Sequence, residues 1–403
     1  MLIRFPLALC LAAFFSLANA QFSDGEIKIG VLTDMSGPYS EYSGNGSVQA
    51  ARLAVEELGG KIAGKPVSIV FADHQNKVDV GAAIARKWFT HEGIDVILDV
   101  PFSAIALAVS ELAKDFDKAV IFSSAASSTL TGSACSPNTV MWTHDSWAYA
   151  NNTGRQVVKS GGKDWFLFVD DYVFGHALAK DLTAAVESEG GAVLGQAVHP
   201  VDTKDFSSDI LKAQASGAKV VGLAMAAGVP LATAMKQGHE YGLQQSGIQF
   251  AGVIATMPDI RAVGLDIAQG MYVSTFFYWD QNQETRDFAK KLAARNNGIY
   301  PESMQAGVYS AVLHYAKALE KAGSDSGRAV VAAMKDIPIE DKLFGEGVVR
   351  PDGQATHPMY LMQVKRPEES KGPYDLYTQI SITPADKAFQ PLSEKECPLI
   401  EQP

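Results

Sequence analysis

Most of the motifs that would announce chemistry are missing from this chain. No Gly-x-Gly-x-x-Gly follows a strand, which leaves a dinucleotide loop unsupported. No Gly-x-Ser-x-Gly is present, which argues against the strand–turn–helix nucleophile of hydrolases. There is no phosphate loop ending in Gly-Lys-Ser/Thr. His-Glu-x-x-His and paired Cys spacing are absent, so neither a zinc site nor any other metal or cofactor is expected. Lys and Arg form no basic run or patch, which excludes the electrostatic footprint of a nucleic-acid partner. The 34 basic and 45 acidic side chains are mixed along the sequence and leave a formal charge of -11. An acidic surface keeps a protein soluble and says little about its ligand. After the first 20 residues no segment reaches membrane-spanning length without a charge or a turn, where about 20 apolar residues are needed.

What is present begins with a leader. Met1-Leu2-Ile3-Arg4 precedes an apolar run from Phe5 to Leu17 and the small-residue ending Ala18-Asn19-Ala20. One early positive charge, a short apolar core and small residues at the last and third-last positions describe a secretory signal, with cleavage expected after Ala20. Cys10 goes with the leader: Leu9 precedes it where a lipoprotein site needs a small residue. Of the three cysteines, Cys135 and Cys397 remain. In an oxidising compartment an even pair is expected to be bridged, which here ties the C-terminal tail to the first part of the chain.

A chain of this length exceeds one core and implies two. Strand-like and helix-like segments alternate: strands at 27–33, 66–73, 95–100 and 119–123, with helices at 45–58, 79–89 (Asp79 as its cap) and 103–114. The alternation restarts with strands at 165–170, 192–199, 219–225, 248–253 and 271–277 around helices at 176–188, 206–214, 229–241 and 259–268. Such alternation implies α/β architecture, here two doubly wound parallel-sheet lobes with helices on both faces. Helices at 285–296, 303–322 and 327–335 are too few for a third core. They are expected to complete the first sheet, so that the chain crosses between lobes more than once.

In open α/β sheets ligands bind at the C-terminal ends of the strands. There the sequence reads Thr33-Asp34-Met35-Ser36-Gly37-Pro38-Tyr39, Pro101-Phe102-Ser103, and Ser123-Ser124-Ala125-Ala126-Ser127-Ser128-Thr129. Small hydroxyl residues let backbone amides approach a ligand, and they begin helices whose free N–H groups favour a carboxylate. The alternative is plain helix capping by Ser103 and Ser127. Tyr39, Tyr42, Phe102, Tyr172 and Phe174 also lie in edge loops, either as ligand cover or as local packing. Asp170-Asp171 reads as a strand end with a solvated charge or as a functional pair.

The stretch Ile29-Gly-Val-Leu-Thr-Asp-Met-Ser-Gly-Pro, with Gly44 and the helix carrying Ala50, Ala51 and Ala54, resembles the opening of periplasmic leucine/isoleucine/valine-binding proteins. Phe71-Ala-Asp-His-Gln-Asn, Asp170-Asp-Tyr-Val-Phe-Gly, Asp205-Phe-Ser-Ser and Gly307-Val-Tyr-Ser fit as well. The order and spacing of these motifs over the mature chain carry the likeness. The resemblance implies a type I periplasmic-binding fold: lobe I from 21–143 and 276–347, lobe II from 144–275 and 348–385, a tail from 386–403, and a three-strand hinge near Thr143–Ser146, Ser274–Phe276 and Glu346–Arg350. It implies no enzyme but a monomeric solute-binding protein of the periplasm that closes over a small molecule and docks on an ABC permease in the inner membrane. A sensory binding protein, and a secreted hydrolase using Asp73 or Asp170, are the alternatives.

Family contacts carried over by position fall at Phe102, Ser103, Ser124, Ala125, Ala126, Phe174, Ala227 and Ile254, with Tyr42 at a cleft-wall aromatic position. Ser127 joins them as part of the loop expected to hold a carboxylate, and Asp171 as a candidate acid. Amino-acid-binding members carry an acid at the position of Ile254, facing the ligand's ammonium. Isoleucine cannot supply that charge, and an unpaired buried ammonium is costly. The expected ligand is therefore a carboxylate with an apolar or aromatic body, unless Asp170 or Asp171 substitutes.

Overall fold

The computed structural model describes residues 22–400; the leader, its cleavage site and Cys10 lie outside the described residues. The first sheet contains β1 (Ile27–Thr33), β2 (Lys61–Ile62), β3 (Lys65–Asp73), β4 (Val96–Asp99), β5 (Ala119–Phe122) and β6 (Thr139–Met141) in the order β2-β3-β1-β4-β5-β6. All pairings are parallel except β2 with β3. β1, β4 and β5 are almost wholly buried, which is why they read as unbroken apolar runs: helices cover both faces of a parallel sheet. The short strand β2 escapes a periodicity argument. It exists because Ala63 and Gly64 both take positive φ, 49° and 77°, and turn the chain back as a tight hairpin.

The second sheet holds β7 (Asp164–Asp170), β8 (Ala192–His199), β9 (Val220–Ala224) and β10 (Gln249–Ala251), all parallel in the order β10-β9-β7-β8. A fifth strand at 271–277 does not join it. Gly270, at φ 81°, reverses the chain and donates its N–H to Val364 O at 2.9 Å. The strand β11 (Tyr272–Thr275) is thereby paired antiparallel with a later one. A two-stranded ribbon, β12 (Ile339–Asp341) with β13 (Gly345–Gly347), precedes β14 (Met359–Val364) and β15 (Tyr377–Thr383), and the third sheet runs β11-β14-β15.

Two local expectations are corrected. Asp79 lies in the first turn of helix Val78–Lys87, and the N-cap is Lys77. The helix expected at 259–268 is split into Met257–Val263 and Leu265–Ala268 by Gly264, whose φ of 91° leaves the helical region.

Helix Ser303–Ala322 packs on Gly44–Glu57, and Gly327–Lys335 on both Ser303–Ala322 and β5. These late helices therefore close the core of the first sheet. The chain crosses between the sheets three times, and the crossings touch one another. His144 stacks on Phe276 with ring centroids 6.2 Å apart. His357 bonds the Trp142 carbonyl at 2.9 Å, and Gln354 Nε2 donates to Met141 O. Cys135 and Cys397 are disulfide-bonded, with Cα atoms 5.6 Å apart. Near this bridge, Lys395 is buried with Nζ donating to Thr131 Oγ1 at 2.6 Å.

Candidate functional site

The C-terminal edges of the two parallel sheets face each other, and the loops leaving β4, β5, β7, β9 and β10 meet there. The loop after β4 is set by its backbone. Asp99 and Val100 take φ of 81° and 54°, a conformation that is a genuine outlier for a β-branched residue. Strain of this kind persists where the surrounding structure imposes it, and it concentrates at ligand sites. It aims Pro101, Phe102 and Ser103 into the cleft. The buried Asp99 carboxylate accepts from Thr33 Oγ1 at 2.7 Å and from the hydroxyls of Ser123 and Ser124. Those donors hold three strand ends together, while burial raises the Asp99 pKa.

The facing lobe is built in the same way. Asp170 Oδ2 accepts the Ala226 N–H at 2.8 Å, which fixes the loop after β9 against the end of β7. Burial pushes the Asp170 pKa up, and His199 lies 3.4 Å away from Oδ1. Asp259 accepts from Gly228 N at 2.7 Å and from both N and Oγ1 of Thr256, joining the loops after β9 and β10.

Tyr42, Ser103, Ser124, Ala126, Phe174, Ala227 and Ile254 line one cavity, together with Pro101, Tyr172, Ala226 and Met304. Four anticipated residues lie outside this lining. Phe102 covers it from the side, stacked on Tyr172. Ala125 turns into the core between the first sheet and its outer helices. Ser127 is fully buried and does not line the cavity. Asp171 is exposed and pairs with His176 at 2.9 Å. Thus Asp170 is spent inside its own lobe and Asp171 faces solvent. Met304 and Ala226 are not singled out by the sequence: Met304 sits inside a helical pattern that reads simply as core.

The cavity measures about 10 Å³, room for about one water molecule, so the lobes are shut on each other. Gly228 presses against the first lobe: a Cβ there would stand 2.5 Å from Pro38 O. Larger hollows, about 500 and 430 Å³, lie elsewhere. One opens at the N-terminal ends of β9 and β10. The other opens among helices of the first lobe, beside Trp142 and the β12–β13 ribbon. Neither sits where the C-terminal strand ends converge.

The helices starting at Ser103 and Val173 begin at this cleft without a side-chain cap, whereas the N–H of Gly228 at the start of Val229–Glu240 is already taken by Asp259. Ser103 and Ser127 therefore do not cap in the simple sense. Ser103 Oγ instead accepts a long bond of 3.4 Å from Ala126 N. Uncapped N–H groups and helix dipoles directed at one small space make it receptive to an anion. Among the described residues no cluster of His, Cys, Asp and Glu could hold a metal ion, and no helix is long and apolar enough to cross a membrane.

Two parallel-sheet lobes, three crossings and a cleft at the facing strand ends define a type I periplasmic-binding fold. The comparisons agree: the periplasmic binding protein family matches residues 26–373, and the chain belongs to that family, in its leucine/isoleucine/valine-binding branch. A crystal structure of a periplasmic binding protein from Burkholderia mallei superposes with a TM-score of 0.91 at 40% identity, covering 94% of this chain and 100% of that one. A branched chain amino acid ABC transporter periplasmic ligand-binding protein from Burkholderia xenovorans gives 0.82 at 36% identity, over 93% and 99%. The Leu/Ile/Val-binding protein homolog 6 of Brucella melitensis is 26% identical over 373 residues, 90% of this chain and 94% of its own length.

Proposed function

We propose that this chain is the exported solute-binding component of an ABC importer, released by cleavage after Ala20. It captures a small carboxylate with an apolar or aromatic body between lobes I and II, and its closed form docks on a membrane permease. The observation that carries the ligand class is the pairing of uncapped helix starts with the absence of an acid on the cavity wall. Ile254 stands where an ammonium partner is expected, 5% exposed, and the aspartates around it are engaged elsewhere: Asp170 with Ala226, Asp171 with His176, Asp99 with the Thr33 and Ser124 hydroxyls, and Asp259 with Gly228 and Thr256. The carboxylate would take the first-turn N–H groups and hydroxyl of Ser103 together with the Ser124–Ala126 loop. Tyr42 and Phe174 would flank the body, with Ala227 and Ile254 as its apolar wall. Closure is a hinge motion over the three crossings.

Thermal unfolding of the ligand-free mature protein against two panels tests this: hydrophobic α-amino acids, and aromatic or branched carboxylates without an amino group. A ligand at 100 times its dissociation constant adds about 2.7 kcal/mol of stability. A shift with the carboxylates alone is expected. A shift with leucine or phenylalanine instead would overturn the ligand class and leave the fold intact.

A further inference from the structure

A carboxyl group that does not line the ligand cavity is buried where the two lobes touch. Glu302 immediately precedes helix Ser303–Ala322, which packs on the first lobe, and it is 5% exposed. Its Oε1 accepts the backbone N–H of Met257 at 2.7 Å. Met257 opens helix Met257–Val263, which packs on Val229–Glu240 in the second lobe. This contact therefore joins the two lobes, and it lies two residues from Met304 in the cavity wall. Met257 supplies a single neutral donor. Glu302 and Gln305 form a capping box, in which Gln305 Oε1 accepts the Glu302 backbone N–H at 3.1 Å and the carboxylate accepts from the Gln305 backbone, so its donors are neutral main-chain groups.

The titratable groups facing Glu302 are unfavourable to a charge. From the second lobe Asp259 raises its pKa, while the hydrogen bonds from Met257 and Ser303 lower it by less than burial raises it. Tyr149 from the first crossing and Tyr377 from β15 also feel its charge, and both are themselves held neutral by burial. Among the described residues no Lys, Arg or His is a cause of its shift. Burial is the largest cause, and the net effect pushes the Glu302 pKa up to about 8.

We propose that closure of the two lobes is coupled to uptake of a proton by Glu302, so that this protein holds its ligand more tightly as the pH falls. The inference rests on the reading that the lobes open and close. When they part, Met257 and Asp259 leave Glu302 facing water, where a glutamate titrates at about 4.3. The closed form therefore binds more protons than the open form between that pH and about 8. Within this window closure strengthens as pH falls, by up to about tenfold per pH unit for one proton. Above the closed-state value the dependence flattens.

Small-angle scattering of the mature protein from pH 5.5 to 9, alone and with saturating benzoate as the probe, tests this. The compact fraction is expected to fall as pH rises toward 8 in the wild type. It is expected to stay high and flat in Glu302→Gln, which keeps an acceptor for Met257 and carries no charge. Asp259→Asn, which removes the facing acid, should move the midpoint to lower pH and provides a second variant if Glu302→Gln fails to fold. Compaction that ignores pH, or that falls with pH equally in Glu302→Gln, would overturn the proposal. So would a protein open even at pH 5.5, where closure should be most favoured. A benzoate-insensitive protein that still compacts with acid would leave this inference standing and remove the ligand class.

Discussion

Phe102 and Tyr172 lie face to face across the cleft, their ring centroids 4.9 Å apart and their planes within 13°. Phe102 leaves the first sheet and Tyr172 the second, so the stack exists only when the lobes are shut. It continues a row of rings, with Tyr39 6.3 Å from Phe102 and Phe174 5.9 Å from Tyr172. Replacing either ring by alanine should weaken ligand binding about ten- to a hundredfold, or about 1.4–2.8 kcal/mol. The double variant should show a coupling of about 0.5–1.5 kcal/mol by calorimetry. Strict additivity would mean that the two rings do not cooperate in closure.

Gly228 has φ 122°, and a Cβ on it would meet Pro38 O at 2.5 Å. Gly228→Ala should hold the lobes apart. Binding is expected to fall at least about tenfold, and backbone strain at such a φ adds about 1–3 kcal/mol of destabilisation. Scattering from the variant with saturating ligand should show the wider form. An unchanged compact envelope with wild-type affinity would refute this.

Reduction of the bond between Cys135 and Cys397 frees a loop of 262 residues' separation. The cost should be about 2–5 kcal/mol, read as a lower urea midpoint after reduction and alkylation. Ligand affinity should change little, because neither cysteine lines the cavity.

Acid should unfold the protein through its buried imidazoles. Burial pushes His144 down to about 3, and His74 and His357 down to about 4. In the unfolded chain a histidine titrates near 6.5. The unfolded state thus binds more protons below that pH. Stability from these groups is complete above about 6.5 and is lost as pH falls toward 4, by up to about 1.4 kcal/mol per pH unit for each. His144→Phe keeps the ring between Tyr149 and Phe276 and should flatten the acid limb of a melting-temperature profile by about one proton. An equally steep limb would assign the acid sensitivity elsewhere.

Most of the sheet and helix pattern was legible because parallel strands buried on both faces, such as Val96–Asp99, announce themselves as apolar runs bounded by turn residues. Less legible was what long-range pairing decides. The segment at 271–277 has strand composition, yet only its partner at Met359–Val364 determines which sheet it enters. Ser103, Ser124 and Phe174, expected from the motifs around them, share one cavity lining. The positive φ of Val100 could not be read from the sequence, since a β-branched residue rarely adopts it. Glu302 also gave no signal: at the head of a helix a glutamate is ordinary, and only the approach of Met257 makes it a buried one.

Both outer segments of the described chain are fastened to the same lobe. Ser23 donates its N–H to Asp325, beside helix Gly327–Lys335, at 2.7 Å, and Cys397 is bonded to Cys135 in the loop before β6. A fluorescent protein fused at either end, or a surface tether attached there, would thus ride on the stationary half and report nothing of the hinge. An optical sensor for this ligand needs one dye on the second lobe, for instance at the exposed Leu211, and its partner on the first.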